Sequence, residues 1–174
     1  VTPNTRRYWI ELPETPSFDF KPGQFLTFDL PIHEQRNKRW RRYSIAYMPD
    51  GNNVVELVIV YVEGGAASNY FFNEVKEGSE LTLRGPQGIF TLPEDLSKDL
   101  YFICTGTGIA PFRSMLHYIR HNKLPFKKID LIFGTRPQQD LLYADEMKRL
   151  DDTLSNLTYH TTLSGEDWGG HKGY

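Results

Sequence analysis

The segment Arg41-Arg42-Tyr43-Ser44-Ile45-Ala46 sets a guanidinium, an aromatic ring and a hydroxyl almost side by side. On a β-strand Arg41 and Tyr43 face one way and Ser44 the other, because successive side chains alternate. A flavin calls for such a mixture: an aromatic neighbour for its planar ring, a forked cation for its pyrophosphate and a hydrogen-bonding group at its N5 edge. The same residues also suit a plain barrel strand, with Arg41 solvated, Tyr43 in the core and Ser44 satisfying a backbone group. Taken alone, the segment leaves both readings open.

A second segment, Gly64-Gly65-Ala66-Ala67-Ser68-Asn69-Tyr70-Phe71, is built of small residues that let a ligand approach the backbone, and Ser68 is placed to cap a short helix. The free N–H groups and dipole of such a helix suit a pyrophosphate. An ordinary hairpin loop running into a capped helix would look the same. In a third segment, Cys104-Thr105-Gly106-Thr107-Gly108-Ile109-Ala110-Pro111-Phe112, a glycine turn separates an apolar strand from a helix with Pro111 in its first turn. That geometry holds nucleotide phosphates at the carboxyl end of a strand. The Gly-Thr-Gly order has neither the spacing of the G-x-G-x-x-G fingerprint nor a following Gly-Lys-Ser/Thr.

These segments need a frame, and the chain writes two. Runs rich in aromatic and β-branched residues at 8–12, 25–30, 43–47, 54–62 and 81–84 predict short antiparallel strands, interrupted by a helix over 67–75. After Pro93 the grammar changes. Continuous apolar strands at 100–104, 129–133 and 157–163 alternate with helices carrying Phe112, Met115, Leu116 and Ile119, then a stretch near 141–150. Alternation of this kind predicts a parallel, right-handed βαβ sheet. The expected architecture is therefore an antiparallel Greek-key β-barrel over residues 1–95 and a Rossmann-like α/β domain over 96–174. The latter is expected to be incomplete, with about three parallel strands and an exposed edge.

Composition narrows the classes. The 174 residues are 39% apolar and 14% aromatic, with 20 Lys plus Arg against 22 Asp plus Glu, so no global field draws the chain to nucleic acid or anionic lipid. Cys104 is the single cysteine, which excludes an internal disulfide and a four-thiolate cluster. No apolar run approaches the ~20 residues of a membrane span and no leader opens the chain, so a cytoplasmic setting is expected. Because it begins with Val1 and stops at Tyr174, we expect part of a longer protein. His117 and His121 have helical spacing but no third ligand, so they read as a solvated helix face and no metal is expected.

The three segments stand in order with Lys21-Pro22-Gly23-Gln24-Phe25, Gly85-Pro86-Gln87-Gly88-Ile89-Phe90, Phe133-Gly134-Thr135-Arg136 and Leu141-Leu142-Tyr143. In this the chain resembles the ferredoxin–NADP reductase superfamily along essentially its whole length. The resemblance implies that Arg41 binds the flavin phosphates, that Tyr43 packs on the isoalloxazine or ribityl region beside Ile45, and that Ser44 hydrogen-bonds near N5. It makes Ser44 and Tyr43 the residues at the reaction. It places Gly65, Ala66, Ala67 and Ser68 at the pyrophosphate and Val60 and Tyr61 on the adenosine side, where many relatives carry Lys or Arg.

By the same likeness Thr105 sits beside the nicotinamide, and Gly106, Thr107 and Gly108 form the turn under the dinucleotide. The implied cofactor is FAD, since the loop at 64–71 adds a pyrophosphate site to Arg41, with NADH or NADPH as donor. Glu166 after Ser164-Gly165 tilts that choice toward NADH, although His171 and Lys172 could reach a phosphate. The implied reaction passes hydride from nicotinamide to flavin and electrons onward to a ferredoxin, flavodoxin or oxygenase component. The other reading is a non-catalytic flavin-binding relay or redox-sensing subunit. The basic run Arg36, Lys38, Arg39, Arg41 and Arg42 around Trp40 then serves the flavin phosphates and an acidic partner.

Overall fold

A computed structural model describes residues 2–173; Val1 and Tyr174, the outer ends of the two expected domains, lie outside the described residues. The first half carries β1 (Thr5–Glu11), β2 (Phe25–Asp29), β3 (Trp40–Ser44), β4 (Val54–Val60), α1 (Ala66–Asn73) and β5 (Thr82–Gln87). β1 pairs with β4, and β2 lies between β3 and β5, all antiparallel. A bridge between Ile45 and Leu57 and a 2.7 Å hydrogen bond from the Ala46 amide to the Glu56 carbonyl join the two sheets. Consecutive strands β2, β3 and β4 are thus neighbours and β1 returns beside β4, the Greek-key order.

The inner face is apolar because alternate residues of β2 and β4 are: Leu26, Phe28, Leu57 and Ile59 are buried together. Phe71 of α1 closes this core, fully buried, with its ring edge-on to Tyr8 at 5.3 Å, Phe28 at 5.9 Å and Tyr43 at 5.3 Å. β3 spans Trp40–Ser44 and not the predicted 43–47, because pairing with β2 runs only to Ser44 opposite Phe25. Beyond it the chain leaves β2 for β4.

The second half carries β6 (Asp99–Thr105), α2 (Ile109–Asn122), β7 (Lys128–Thr135), α3 (Ala144–Thr153), β8 (Leu157–Leu163) and a short β9 (His171–Lys172). They form one parallel sheet in the order β6-β7-β8-β9, so β9 adds a fourth strand to the three predicted. α3 starts later than expected, since a tight turn over Gln138–Asp140 and a left-handed Tyr143 at φ 58° precede it. Phe102, Cys104, Leu131 and Phe133 pack with Met115, Leu116 and Ile119 of α2 and Met147 and Leu150 of α3. The alternate residues Tyr101 and Ile103 of the edge strand β6 are 61% and 66% exposed. No helix among the described residues is long and apolar enough to cross a membrane.

The halves are joined through α2, whose residues from Ile109 to His117 are all buried. Arg113 sends one Nη1 to the Ala46 carbonyl at 2.6 Å and to Glu56 at 3.2 Å, and forks onto Glu146 at 2.6 and 3.2 Å. Its guanidinium lies between the rings of Tyr47 and Tyr143. Tyr143 donates to Glu56 at 2.9 Å and Ser114 to the Tyr47 carbonyl at 2.8 Å. His117 meets Glu146 and is 5% exposed, which corrects the expectation of a solvated helix face; His121 is exposed.

Burial raises the Glu146 carboxyl, but hydrogen bonds from His117 and Arg113 outweigh it and hold the group down at about 2. A carboxylate held below its unfolded value stabilises the fold above that value and loses its contribution as pH falls through the folded one. Stability should therefore decline between about pH 5 and pH 2, with Glu146 supplying up to about 3 kcal/mol of the loss. Denaturant titrations at stepped pH check this: Glu146→Gln should be less stable at neutral pH and flatter across that window.

Candidate functional site

Arg41, Tyr43 and Ser44 lie in the second half of β3. Arg41 folds its guanidinium back, donating to the carbonyls of Lys38 at 3.0 Å and Trp40 at 2.8 Å. Tyr43 is half-buried against Phe28 and Phe71, and burial pushes its phenol up to about 12. It is therefore a neutral ring near pH 7 and no acid–base group. Ser44 faces the other way, on the side of Arg42, whose guanidinium lies 5.5 Å from the Phe25 ring. Through the ring of Phe71, Tyr43 is physically coupled to α1 and hence to the Gly64–Gly65 loop.

α1 begins after Gly65, an extended residue at φ −76° and ψ 109°, and no side chain caps it. Ser68 was the predicted cap. Instead its hydroxyl accepts the Val62 amide at 3.1 Å and lies 3.0 Å from the Val62 and Gly65 carbonyls, closing the loop on itself. The reason is position: Ser68 sits inside the first turn, where its side chain points back over the preceding loop. A Cβ on Gly65 would come within 2.8 Å of the Ser68 hydroxyl and 3.0 Å of the Val62 carbonyl, so the tight closure requires glycine. The result leaves the first-turn amides of Ala66, Ala67 and Ser68 as uncapped donors. Val60 and Tyr61 are 38% and 37% exposed beside them, with Tyr61 donating to Asn69 at 3.2 Å and packing on Phe72. Arg6, which the sequence did not single out, stacks over the same Phe72 at 4.4 Å.

Across the interface, Thr105 ends β6 in extended conformation and Gly106–Gly108 makes one tight turn into α2, again without a side-chain cap. Gly106 adopts φ +51° and a Cβ there would meet nothing within 4 Å, so the turn is open above. The turn lies against β4 and β7. A Cβ on Gly134 would stand 3.5 Å from the methyls of both Thr105 and Thr162, which brings the carboxyl ends of β6, β7 and β8 level around a bare backbone. Cys104 just below is buried, and burial pushes its thiol up to about 12, which removes it as a nucleophile.

The loop after β8 folds back onto the turn that follows β7. The Glu166 carboxylate accepts the Gln138 amide at 2.5 Å, and the Gly165 amide bonds the Arg136 carbonyl at 3.1 Å. Lys172 pairs with Asp167. Glu166 thus ties this loop to the turn after β7, while Lys172 pairs within the β8–β9 segment.

The donor set fits a dinucleotide. Each half offers a helix start free of side-chain caps for phosphates, and the barrel half adds the Tyr43 ring, the Ser44 hydroxyl and the exposed Val60–Tyr61 wall. A Greek-key barrel and a parallel α/β sheet furnished in this way define a flavin- and nicotinamide-nucleotide-binding oxidoreductase module. Residues 1–92 match the oxidoreductase FAD-binding domain and residues 102–174 the oxidoreductase NAD-binding domain. The chain belongs to the ferredoxin–NADP reductase superfamily.

It is 34% identical to a ferredoxin–NADP reductase B of Sorangium cellulosum over all of this chain and 70% of that protein. It is 31% identical to a glycine betaine monooxygenase reductase subunit of Pseudomonas aeruginosa over 90% of this chain and 43% of that one. A ferredoxin NADP+ reductase from Neisseria gonorrhoeae, solved with bound FAD and NADP, superposes with a TM-score of 0.80 at 27% identity, over 99% of this chain and 68% of that one. The chain thus spans well under half of one curated relative and about seven-tenths of the other.

Gly106→Ala should fold, since space is open, yet cost about 1–2 kcal/mol through its left-handed backbone. Flavin content is expected to stay at the wild-type level while nucleotide affinity, read by titration, falls. Equal losses of flavin and nucleotide would contradict this division of the site.

Proposed function

We propose that this chain is the reductase module of an electron-transfer pair, taking hydride from NADH or NADPH onto FAD and passing electrons to a ferredoxin, flavodoxin or oxygenase component. The observation that carries this reading is the convergence of the two halves. The Gly106–Gly108 turn lies on β4, the same strand to which the residue after Ser44 is bridged. In this reading the flavin unit spans residues 1–95 and the nucleotide unit 96–174, in the cytoplasm.

Bound FAD would supply the chemistry, accepting electrons as a pair and releasing them singly. The residues of the chain bind and align. Arg41, freed from the Lys38 and Trp40 carbonyls, pairs with phosphate, and the α1 amides of Ala66, Ala67 and Ser68 hold the rest of the pyrophosphate beside Gly65. Val60 and Tyr61 back the adenosine, Tyr43 flanks the ring system while Ile45, fully buried in the barrel core, only supports the strand behind it, and Ser44 donates at the reacting edge. Thr105 orients the nicotinamide above the open turn of Gly106, Thr107 and Gly108.

Anaerobic mixing of the yellow, flavin-loaded protein with NADH or NADPH should bleach it. Ser44→Ala should keep its flavin but be reduced more slowly, by roughly 10-fold or more. Bound flavin that neither nucleotide bleaches would instead favour a relay or redox-sensing subunit.

The basic run supports an acidic protein acceptor in part. Arg39 is held by Asp29 at 2.7 Å, whereas Arg36, 3.8 Å from the same carboxylate, and Lys38 are exposed; Arg36 and Arg84 lie over Trp40 at 5.9 and 4.5 Å. Replacing Arg36 and Lys38 by Gln should slow transfer to an acidic acceptor in low salt and converge with wild type as salt rises. Flavin reduction by nucleotide should be unaffected.

A further inference from the structure

We propose that Arg113 and Glu56 form a latch that fixes the angle between the barrel and the α/β domain, and with it the gap across which hydride passes. The inference rests on the reductase reading above. Neither residue touches the candidate cofactor positions; both are positioning residues.

Apart from Ser114 on the Tyr47 carbonyl, the polar contacts described across the interface converge on one buried group. Glu56 comes from the barrel strand β4 and is 7% exposed; Arg113 comes from α2 and is 4% exposed. Glu56 is bound on one oxygen by Arg113 and on the other by Tyr143, while Arg7 approaches it at 3.8 Å. Arg113 is bound in turn by the Ala46 carbonyl and by Glu146. Apolar contacts, such as Phe90 against Phe112 at 5.6 Å, hold the halves together but tolerate sliding. A buried guanidinium does not. Its fork onto Glu146 is directional and aims Nη1 at the Ala46 carbonyl and Glu56, so a tilt that breaks those bonds leaves the buried Glu56 carboxylate without its short ion pair. One orientation alone satisfies the set.

The latch is also close to the reacting ends. Arg113 lies one helical turn past Ile109, where the nucleotide turn ends, or roughly 6 Å along α2. Ala46 lies two residues beyond Ser44, about 7 Å along an extended chain. A small rotation at the latch therefore moves Thr105 relative to Ser44 by a similar amount, and misplacement by ~1 Å can cost ~100-fold in rate.

Glu56→Gln keeps shape and removes the charge. With flavin bound, we expect nucleotide affinity within roughly 3-fold of wild type and single-turnover flavin reduction slowed at least about 10-fold. The second readout needs no flavin. Spin labels at Glu77→Cys and Ser155→Cys, exposed sites on the two halves, report the inter-domain distance by pulsed electron resonance, with buried Cys104 silent. Wild type should give one narrow distance and Glu56→Gln a broad distribution. Glu146→Gln, whose contacts lie within the α/β domain, should lower stability but keep the distance narrow. Tyr143→Phe, a milder cut, should broaden it partially and serves if Glu56→Gln fails to fold. A narrow, unchanged distance in Glu56→Gln or Tyr143→Phe overturns the latch. Wild-type protein that nucleotide does not reduce overturns the reductase reading, and the distance measurement still decides the latch.

Discussion

Everything in this molecule that must act together is held by the burial of Arg113. Taking a guanidinium out of water costs several kcal/mol, and the cost is offset only where good geometry supplies each partner. Here the partners come from both halves: Glu146 from α3, Glu56 from β4 and the Ala46 carbonyl from the crossing between sheets. Neither half alone satisfies the group, because the barrel lacks the cation and the α/β domain would leave part of the fork bare. The interface is therefore part of the folding of α2 itself.

None of α1, α2 and α3 carries a side-chain cap, and at α1 and α2 the bare first turns lie at the proposed phosphate positions. In most helices a Ser, Thr, Asp or Asn side chain would occupy the first amides. Ser68, one turn in, places its hydroxyl on Val62 and Gly65, and α2 follows a glycine turn with no side-chain cap, the Ile109 amide bonding back to that turn. Each helix forgoes roughly 1 kcal/mol of local stability and keeps donors and dipole facing outward. Tertiary burial compensates: Phe71 anchors α1 in the barrel core, and α2 is sandwiched from Ile109 to His117.

The sequence made the local signals legible because they are matters of neighbours. Alternation in the barrel strands, the apolar β6 and β7 and the Gly106–Gly108 turn all depend on residues close in the chain, and the architecture follows from their order. The latch was not legible in that way, since Arg113 and Glu56 stand 57 residues apart. A signal existed nonetheless: Glu56 interrupts the apolar run Val54–Val60, and a charge in a buried strand needs a partner. His117 was misread for the converse reason. Its spacing from His121 suggested a shared exposed face, but Arg113 lies the same distance to the other side and turns His117 inward toward Glu146. Ser68 was misread by one turn of helix, a distance that residue type cannot resolve.

A protein whose cofactor carries the electron chemistry has few reacting side chains to optimise. What remains is geometry, and geometry is set where the two halves meet. In keeping with this, Arg113 and Glu56 at the interface each hold several short partners, whereas Arg41, proposed to meet a phosphate, rests on two backbone carbonyls. In the proposed reading, groups nearest the flavin exchange partners when ligands arrive; groups that fix the halves must not. The division is physical. A half-exposed cation on two carbonyls is released at little cost, while Arg113 cannot let go of Glu56 without leaving that buried carboxylate without its short ion pair.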